Sequence, residues 1–147
     1  MTTRVHHILR QKGREVVTVP PHLTVYRCIA VMVEHNVGSV IVSNGTSIEG
    51  IFTERDYLRR IALKGRTSRT TRVHDVMTAP VITVSPSQTV EDCLQRMTEA
   101  KCRHLPVLEN DRLSGIISIG DCVKALLDDA QHEVEALEGF ITGQYPR

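Results

Sequence analysis

Tryptophan is absent, and two phenylalanines and three tyrosines are the only other aromatics in 147 residues. That is too few rings for a stacking platform that grips single-stranded nucleic acid. Net charge is also scarce, at +1 with 18 Lys and Arg against 17 Asp and Glu. A near-neutral total sets up no bulk field toward nucleic acid or an anionic membrane, so a charged partner must be met by a local cluster. No apolar run approaches the roughly 20 residues of a membrane span, and no charged-then-apolar leader opens the chain. The expected location is therefore the cytoplasm, with no membrane partner. Cys28, Cys93, Cys102 and Cys122 form no CxxC pair and share no metal-like spacing with histidine. Reduced thiols packed as small hydrophobes are expected, with no metal site. Catalytic signatures are missing as well: there is no GxGxxG, Walker loop or GxSxG, and His6-His7 lacks companions at ligand spacing. An enzyme is not expected.

What is present is a duplication. The glycines of Gly50-Ile51-Phe52 and Gly115-Ile116-Ile117 are 65 positions apart (115 − 50), and the offset holds without a gap over a long stretch. VTVPPHLTV at 17–25 aligns with ITVSPSQTV at 82–90, Cys28 with Cys93, Met32 with Met97, and Val42 with Val107. A lead-in echo, Thr3-Arg4-Val5-His6 against Thr71-Arg72-Val73-His74, runs at an offset of 68 (71 − 3). Repeats of this length signal stacked supersecondary units.

Each copy has the same order of elements. A short extended piece (16–19; 81–84) meets a proline turn, after which Thr24 or Thr89 stands at a helix N-cap, with Asp92 completing a capping box in the second copy. Val25, Cys28, Ile29, Met32 and Val90, Cys93, Leu94, Met97 follow at i, i+3, i+4, i+7, the spacing of one buried helical face. The runs 40–42 and 105–108 then read as strands. Asn44-Gly45 is a strong hairpin signal, and Glu109–Arg112 a less sharp one. The returning strands, 48–52 and 113–117, lead directly into helices at Thr53 and Ser118, and Gly65 is placed to end the first. The fold class is thus α+β: two β-α-β-β-α repeats packed through their sheets as one pseudo-two-fold unit. The divisions are 1–65, the first repeat with its lead-in; 66–130, linker and second repeat; and 131–147, an amphipathic helix and tail.

The closings TERD (53–56) and SIGD (118–121) admit two readings. A hydroxyl followed three residues later by a carboxylate is a helix cap set against the positive end of the helix dipole. The same corner suits a nucleotide, because free amides favour phosphate and a carboxylate accepts ribose hydroxyls.

The tandem pattern resembles a pair of cystathionine-β-synthase (CBS) domains, a Bateman module, of the stand-alone bacterial type. The openings VTVPPHLTV and ITVSPSQTV, the apolar hairpins, and the closings GIFTERD and GIISIGD carry the resemblance over about residues 5–129, with RHLPV (103–107) and ITGQYP (141–146) adding to it. It implies a non-catalytic regulatory module that binds an adenosyl nucleotide, AMP, ATP or NAD(H), in clefts between the repeats. Asp56 and Asp121 would hold ribose, and Thr53 and Ser118 would approach ribose or phosphate. Thr18-Val19 and Thr83-Val84 would lie against adenine, and Gly38-Ser39 and Arg103-His104-Leu105 would close the pockets. The copies differ at the rim, where Arg55 faces Gly120 and Gly38-Ser39 faces Arg103-His104, so unequal affinities are expected. The resemblance further implies a homodimer through helical faces and an unidentified regulated protein. The alternative is a dimerising or docking scaffold with no nucleotide.

Overall fold

In the computed structural model residues 2–141 are described. Helix α1 (Val5–Lys12) opens the chain, followed by β1 (Thr18–Val19), α2 (Val25–His35), β2 (Ser39–Ser43) and β3 (Ile48–Thr53). Helix α3 (Glu54–Asp56) continues into a π-helical segment (Tyr57–Ala62), and a 3-10 turn occupies Val73–Asp75. Then come α4 (Val90–Ala100), β4 (His104–Glu109), β5 (Arg112–Ser118) and α5 (Ile119–Ile141).

The capping signals act as their chemistry requires. Thr24 Oγ1 accepts the Arg27 amide at 3.3 Å, and Thr89 and Asp92 satisfy each other's backbone at 3.0 and 3.1 Å. That backbone bond from Thr89, reinforced by its side chain, holds the Asp92 carboxyl below its ordinary pKa. Asn36 and Lys101, 65 apart, end α2 and α4 in the left-handed region at φ 53° and 56°. The buried helical positions are Val25, Cys28 and Met32 in one copy and Val90, Cys93 and Met97 in the other, while Ile29 and Leu94 are partly buried.

β1 pairs parallel with β2, which pairs antiparallel with β3. β4 and β5 form a second antiparallel pair, and both hairpins shift register at the same repeat position, Val42/Ser43 and Val107/Leu108. The turns differ from expectation. Asn44-Gly45 does not make a two-residue turn, because Asn44 Oδ1 accepts the amides of both Thr46 and Ser47 and stabilises a longer loop. Asn110 and Asp111 do make one, both at positive φ (52° and 62°) between the paired Glu109 and Arg112. The expected strand at 81–84 is a single bridge, Val84 to Val107.

Two compact units emerge, and they do not follow the sequence divisions. One is Glu15–Ile82; the other joins the chain up to Arg14 with the part from Thr83 onward. Each has its own buried apolar cluster, around Val40, Val42 and Phe52 in the first and Leu105, Val107 and Ile117 in the second. The lead-in before the first repeat therefore packs on the second repeat. Val5 N donates to Gln88 O and Val90 N to Thr3 O, as Val73 N donates to Leu23 O and Val25 N to Thr71 O in the other unit. Leu9 packs over Gly115 just as its lead-in counterpart Met77 packs over Gly50, and a Cβ on either glycine would overlap that side chain. The C-terminal segment also differs from the sequence division. It is no separate helix: α5 passes position 131 unbroken because no glycine or proline interrupts residues 121–138. Positions 142–147, with the end of ITGQYP, lie outside the described residues.

Candidate functional site

In the first unit the strand register sets Ser39 opposite Thr53, and Glu54 N donates to Gly38 O at 3.1 Å. Gly38, Ser39, Thr53 and Asp56 therefore form one corner, where β3 turns into α3. Asp56 Oδ2 accepts the amide and the hydroxyl of Thr53 at 3.0 and 3.2 Å, and Asp56 N donates back to Thr53 Oγ1 at 3.2 Å. Its other oxygen, Oδ1, accepts the Thr78 hydroxyl at 3.0 Å, with Arg60 Nε 3.9 Å away. Arg60 is itself fixed by the carbonyls of Val76 and Met77, at 3.0 and 2.7 Å. Both carboxylate oxygens are thus engaged by the chain itself. Arg55 stands beside this corner, half-buried.

The equivalent corner of the second unit is built the same way and finished differently. His104 lies opposite Ser118, and Ile119 N donates to Arg103 O at 2.9 Å. Asp121 Oδ2 accepts the Ser118 amide at 2.8 Å, and Asp121 N donates to Ser118 Oγ at 3.1 Å. Lys12 Nζ, from α1, reaches the same Oδ2 at 2.7 Å and also donates to Ile116 O at 3.0 Å. Among the described residues Asp121 Oδ1 accepts no hydrogen bond. The Asp121 side chain is 22% exposed, against 11% for Asp56. Partial burial pushes its pKa up, but the hydrogen bonds from Lys12 and Ser118, with the lysine charge, outweigh that and leave the carboxyl below its ordinary value.

The remaining predicted residues divide. Val19, Val84 and Leu105 are core side chains, at most 3% exposed, so only their backbone is available to a ligand. Thr18 and Val19 line a cavity of about 500 Å³ with Pro20, Pro21, His22, Ser43, Asn44 and Gly45, and neither Thr53 nor Asp56 belongs to that lining. Gly38 lines another, of about 460 Å³, between α2 and the π segment. Thr83 is half-buried, and its carbonyl accepts from Arg96 Nη1. Lys12, Arg60 and Thr78 were not anticipated. The two lead-ins that carry Lys12 and Thr78 are repeats, but at the offset of 68 Lys12 faces Pro80 and Thr78 faces Arg10. No repeat signal could flag them. Among the described residues no three His, Cys, Asp or Glu side chains converge as a metal site, and no helix is long and apolar enough to cross a membrane.

One corner built twice on one β-α-β-β-α unit is a family signature, and the family model of the CBS domain matches residues 5–63 and again 73–128. The chain belongs to the CBS domain family. Both matches begin in a lead-in, at Val5 and Val73, so the chain is a tandem CBS pair. Among curated proteins it is similar to the CBS domain-containing protein CBSX3, mitochondrial, of Arabidopsis thaliana, at 35% identity over 98% of this chain and 74% of that one. Among solved structures, a CBS-domain protein from Burkholderia ambifaria is 46% identical with a TM-score of 0.83, covering 86% of this chain and 96% of its own. A hexameric CBS-CP12 protein from bloom-forming cyanobacteria is 28% identical with a TM-score of 0.75, over 84% of this chain and 67% of its own.

Proposed function

We propose that this CBS pair is a non-catalytic regulatory module that binds an adenosyl nucleotide of the AMP, ATP or NAD(H) type, with the Ser118–Asp121 corner as its principal site. The supporting observation is the difference between the two corners. Asp56 has spent both oxygens on its own chain, whereas Asp121 keeps Oδ1 for a ribose hydroxyl and has a cation, Lys12, at hydrogen-bonding distance. Lys12 can pass to a phosphate when ribose takes the carboxylate, since both are charge-assisted partners of the same kind. Arg103 and His104 flank the corner on the β4 side. Binding would act by favouring one conformation or partner state over another.

The second reading, a scaffold that associates without nucleotide, draws on exposed apolar residues along α2, the π segment and α5, including Val33, Leu58, Val123 and Leu127. Self-association two at a time through these faces is proposed on either reading, and the hexameric state of the cyanobacterial CBS-CP12 protein supports assembly in this family. A thermal-shift panel with AMP, ATP, NAD, NADH and GTP separates the two. A ligand at a hundred times its dissociation constant stabilises by about 2.7 kcal/mol. The nucleotide reading expects a shift confined to adenosyl compounds, abolished by Asp121→Asn and largely kept by Asp56→Asn. No shift with any compound leaves the scaffold.

A further inference from the structure

The match to the CBS domain ends at residue 128, yet α5 runs on to Ile141. Near that boundary the helix is held by its own unit. Cys122 is fully buried, Ala125 packs against the same apolar cluster, and the Asp129 carboxylate accepts the Thr3 hydroxyl at 3.0 Å. Every residue from Ala130 to Glu138 is exposed. The end of α5 is therefore a helical arm, anchored at its base and bare beyond it.

The arm is not uniformly polar. Val123, Leu127, Ala130, Val134 and Leu137 follow one another at spacings of four, three, four and three, the a/d pattern of a helix that packs lengthwise on another helix. Val123, Leu127, Val134 and Leu137 are 47%, 64%, 47% and 63% exposed. At about 3.6 residues per turn, this stripe lies roughly a third of a turn from the side of the helix that carries Cys122, Ala125 and Asp129. It is apolar surface left over once the fold is complete. Between positions 128 and 138 the helix carries five carboxylates, Asp128, Asp129, Glu133, Glu135 and Glu138, and no Lys or Arg. Glu133 and Glu138 take the g and e positions that border the stripe. Lys124, at the base, is the one Lys or Arg from Val123 to Glu138.

This charge pattern selects the occupant. An anionic lipid surface and a nucleic acid are both repelled by it. A second copy of the stripe is disfavoured in either direction. Laid parallel, Glu133 of one copy would face Glu138 of the other; laid antiparallel over the same positions, it would face Glu133. A helix with apolar residues at its own a and d positions, and Lys or Arg at e and g, complements both the stripe and its borders.

We infer that the α5 stripe is the docking surface for a basic amphipathic helix of a different protein. The stripe shares no residue with α2 or the π segment, and it needs no nucleotide.

The test titrates the full chain into a fluorescent three-heptad peptide with Leu at every a and d position and Lys at every e and g position. A second peptide carries Glu at every e and g position, and anisotropy reads binding of each. Saturable binding of the lysine peptide is expected, with the glutamate peptide at least about tenfold weaker. Val134→Ser with Leu137→Ser keeps every charge and should weaken the lysine peptide at least about tenfold by removing apolar contact. Glu133→Lys with Glu138→Lys should reverse the preference between the two peptides. All four residues are exposed, so the fold survives, and an unchanged unfolding midpoint checks that it does. Failure of the lysine peptide to bind overturns the assignment, as does binding that ignores the serine substitutions, which is charge attraction alone. If the serine variant instead sediments as a monomer where the wild type is a dimer, the stripe belongs to a second copy and docking of a different protein is overturned.

Discussion

Gly50→Ala and Gly115→Ala are the same substitution at the same position of the two repeats, and their cost should differ. At Gly50 an added Cβ would lie 2.5 Å from Met77 Sδ, 2.8 Å from Met77 Cγ and 2.9 Å from the backbone oxygen of Thr78. Methionine can turn away, because three rotatable bonds let it fill other space. The Thr78 oxygen cannot, since Ile51 and Thr78 exchange backbone hydrogen bonds of 3.0 and 2.8 Å. Relief requires moving the bridge, which also draws the Thr78 hydroxyl from Asp56. At Gly115 the three nearest atoms all belong to the buried Leu9 side chain, Cδ2 at 2.6 Å, Cδ1 at 3.1 Å and Cγ at 3.4 Å, so relief calls for side-chain repacking and moves no backbone hydrogen bond. Overpacking costs about 1–3 kcal/mol, and replacing glycine by alanine returns about 0.5–1 kcal/mol by restricting the unfolded chain. Gly50→Ala should therefore lose about 2 kcal/mol and Gly115→Ala less than about 1 kcal/mol. Urea unfolding at constant m-value measures both. Equal losses, or a larger loss at Gly115, would refute the reasoning, because the only difference invoked is backbone against side chain.

Two further outcomes follow. Asp121 has its pKa lowered in the folded chain, so its ionised form stabilises the fold. That contribution is complete above the unfolded carboxylate pKa, about 3.9, and is lost as pH falls through the lower folded value. The stability gap between the wild type and Asp121→Asn should accordingly shrink below about pH 4, and a gap unchanged down to pH 2 would contradict the Lys12–Asp121 pairing. Burial pushes the Cys28 thiol up to about 12, and donation of its own S–H to Cys93, together with burial, pushes Cys122 up as well. Cys93 is buried with them, and Cys102 is the one partly exposed thiol although burial raises its pKa too. Access therefore decides: a thiol reagent at pH 8 should label only Cys102 before unfolding, and prompt labelling of several thiols in the folded chain would sink that expectation.

The helices and hairpins were legible because their signals are local. Thr24, Thr89 and Asp92 act within one turn, and the i, i+3, i+4, i+7 residues need only one face to bury. The hairpin turns were half legible: Asn44-Gly45 was overruled by the Asn44 side chain, while Asn110-Asp111 made the tight turn with no glycine. The partner of each lead-in was not legible, because adjacency in sequence says nothing about which of two equivalent repeats a segment will pack on. Nor was the π geometry at Tyr57–Ala62, since the 65-residue offset runs through it without an insertion. The unbroken α5 could have been read from its lack of breakers.

What decides function lies where the copies stop matching. Caps, register shifts and the paired glycines are shared, and they build the same corner twice. Lys12 against Pro80, Thr78 against Arg10, Arg60 against Ala125, Arg55 against Gly120 and Gly38-Ser39 against Arg103-His104 are among the unshared residues, and Lys12, Thr78 and Arg60 stand against a corner's carboxylate. The Asp56 carboxylate has roughly four acceptor positions, and it already takes three hydrogen bonds. For a ribose to set both hydroxyls on it, the carboxylate must surrender one or more from Thr53 or Thr78, each with a net value of about 1 kcal/mol. Asp121 can accept one through Oδ1 at no such cost. One or two surrendered bonds correspond to roughly a five- to thirtyfold affinity difference. At nucleotide concentrations near the stronger site's dissociation constant, the duplicated corner should therefore bind as a single site.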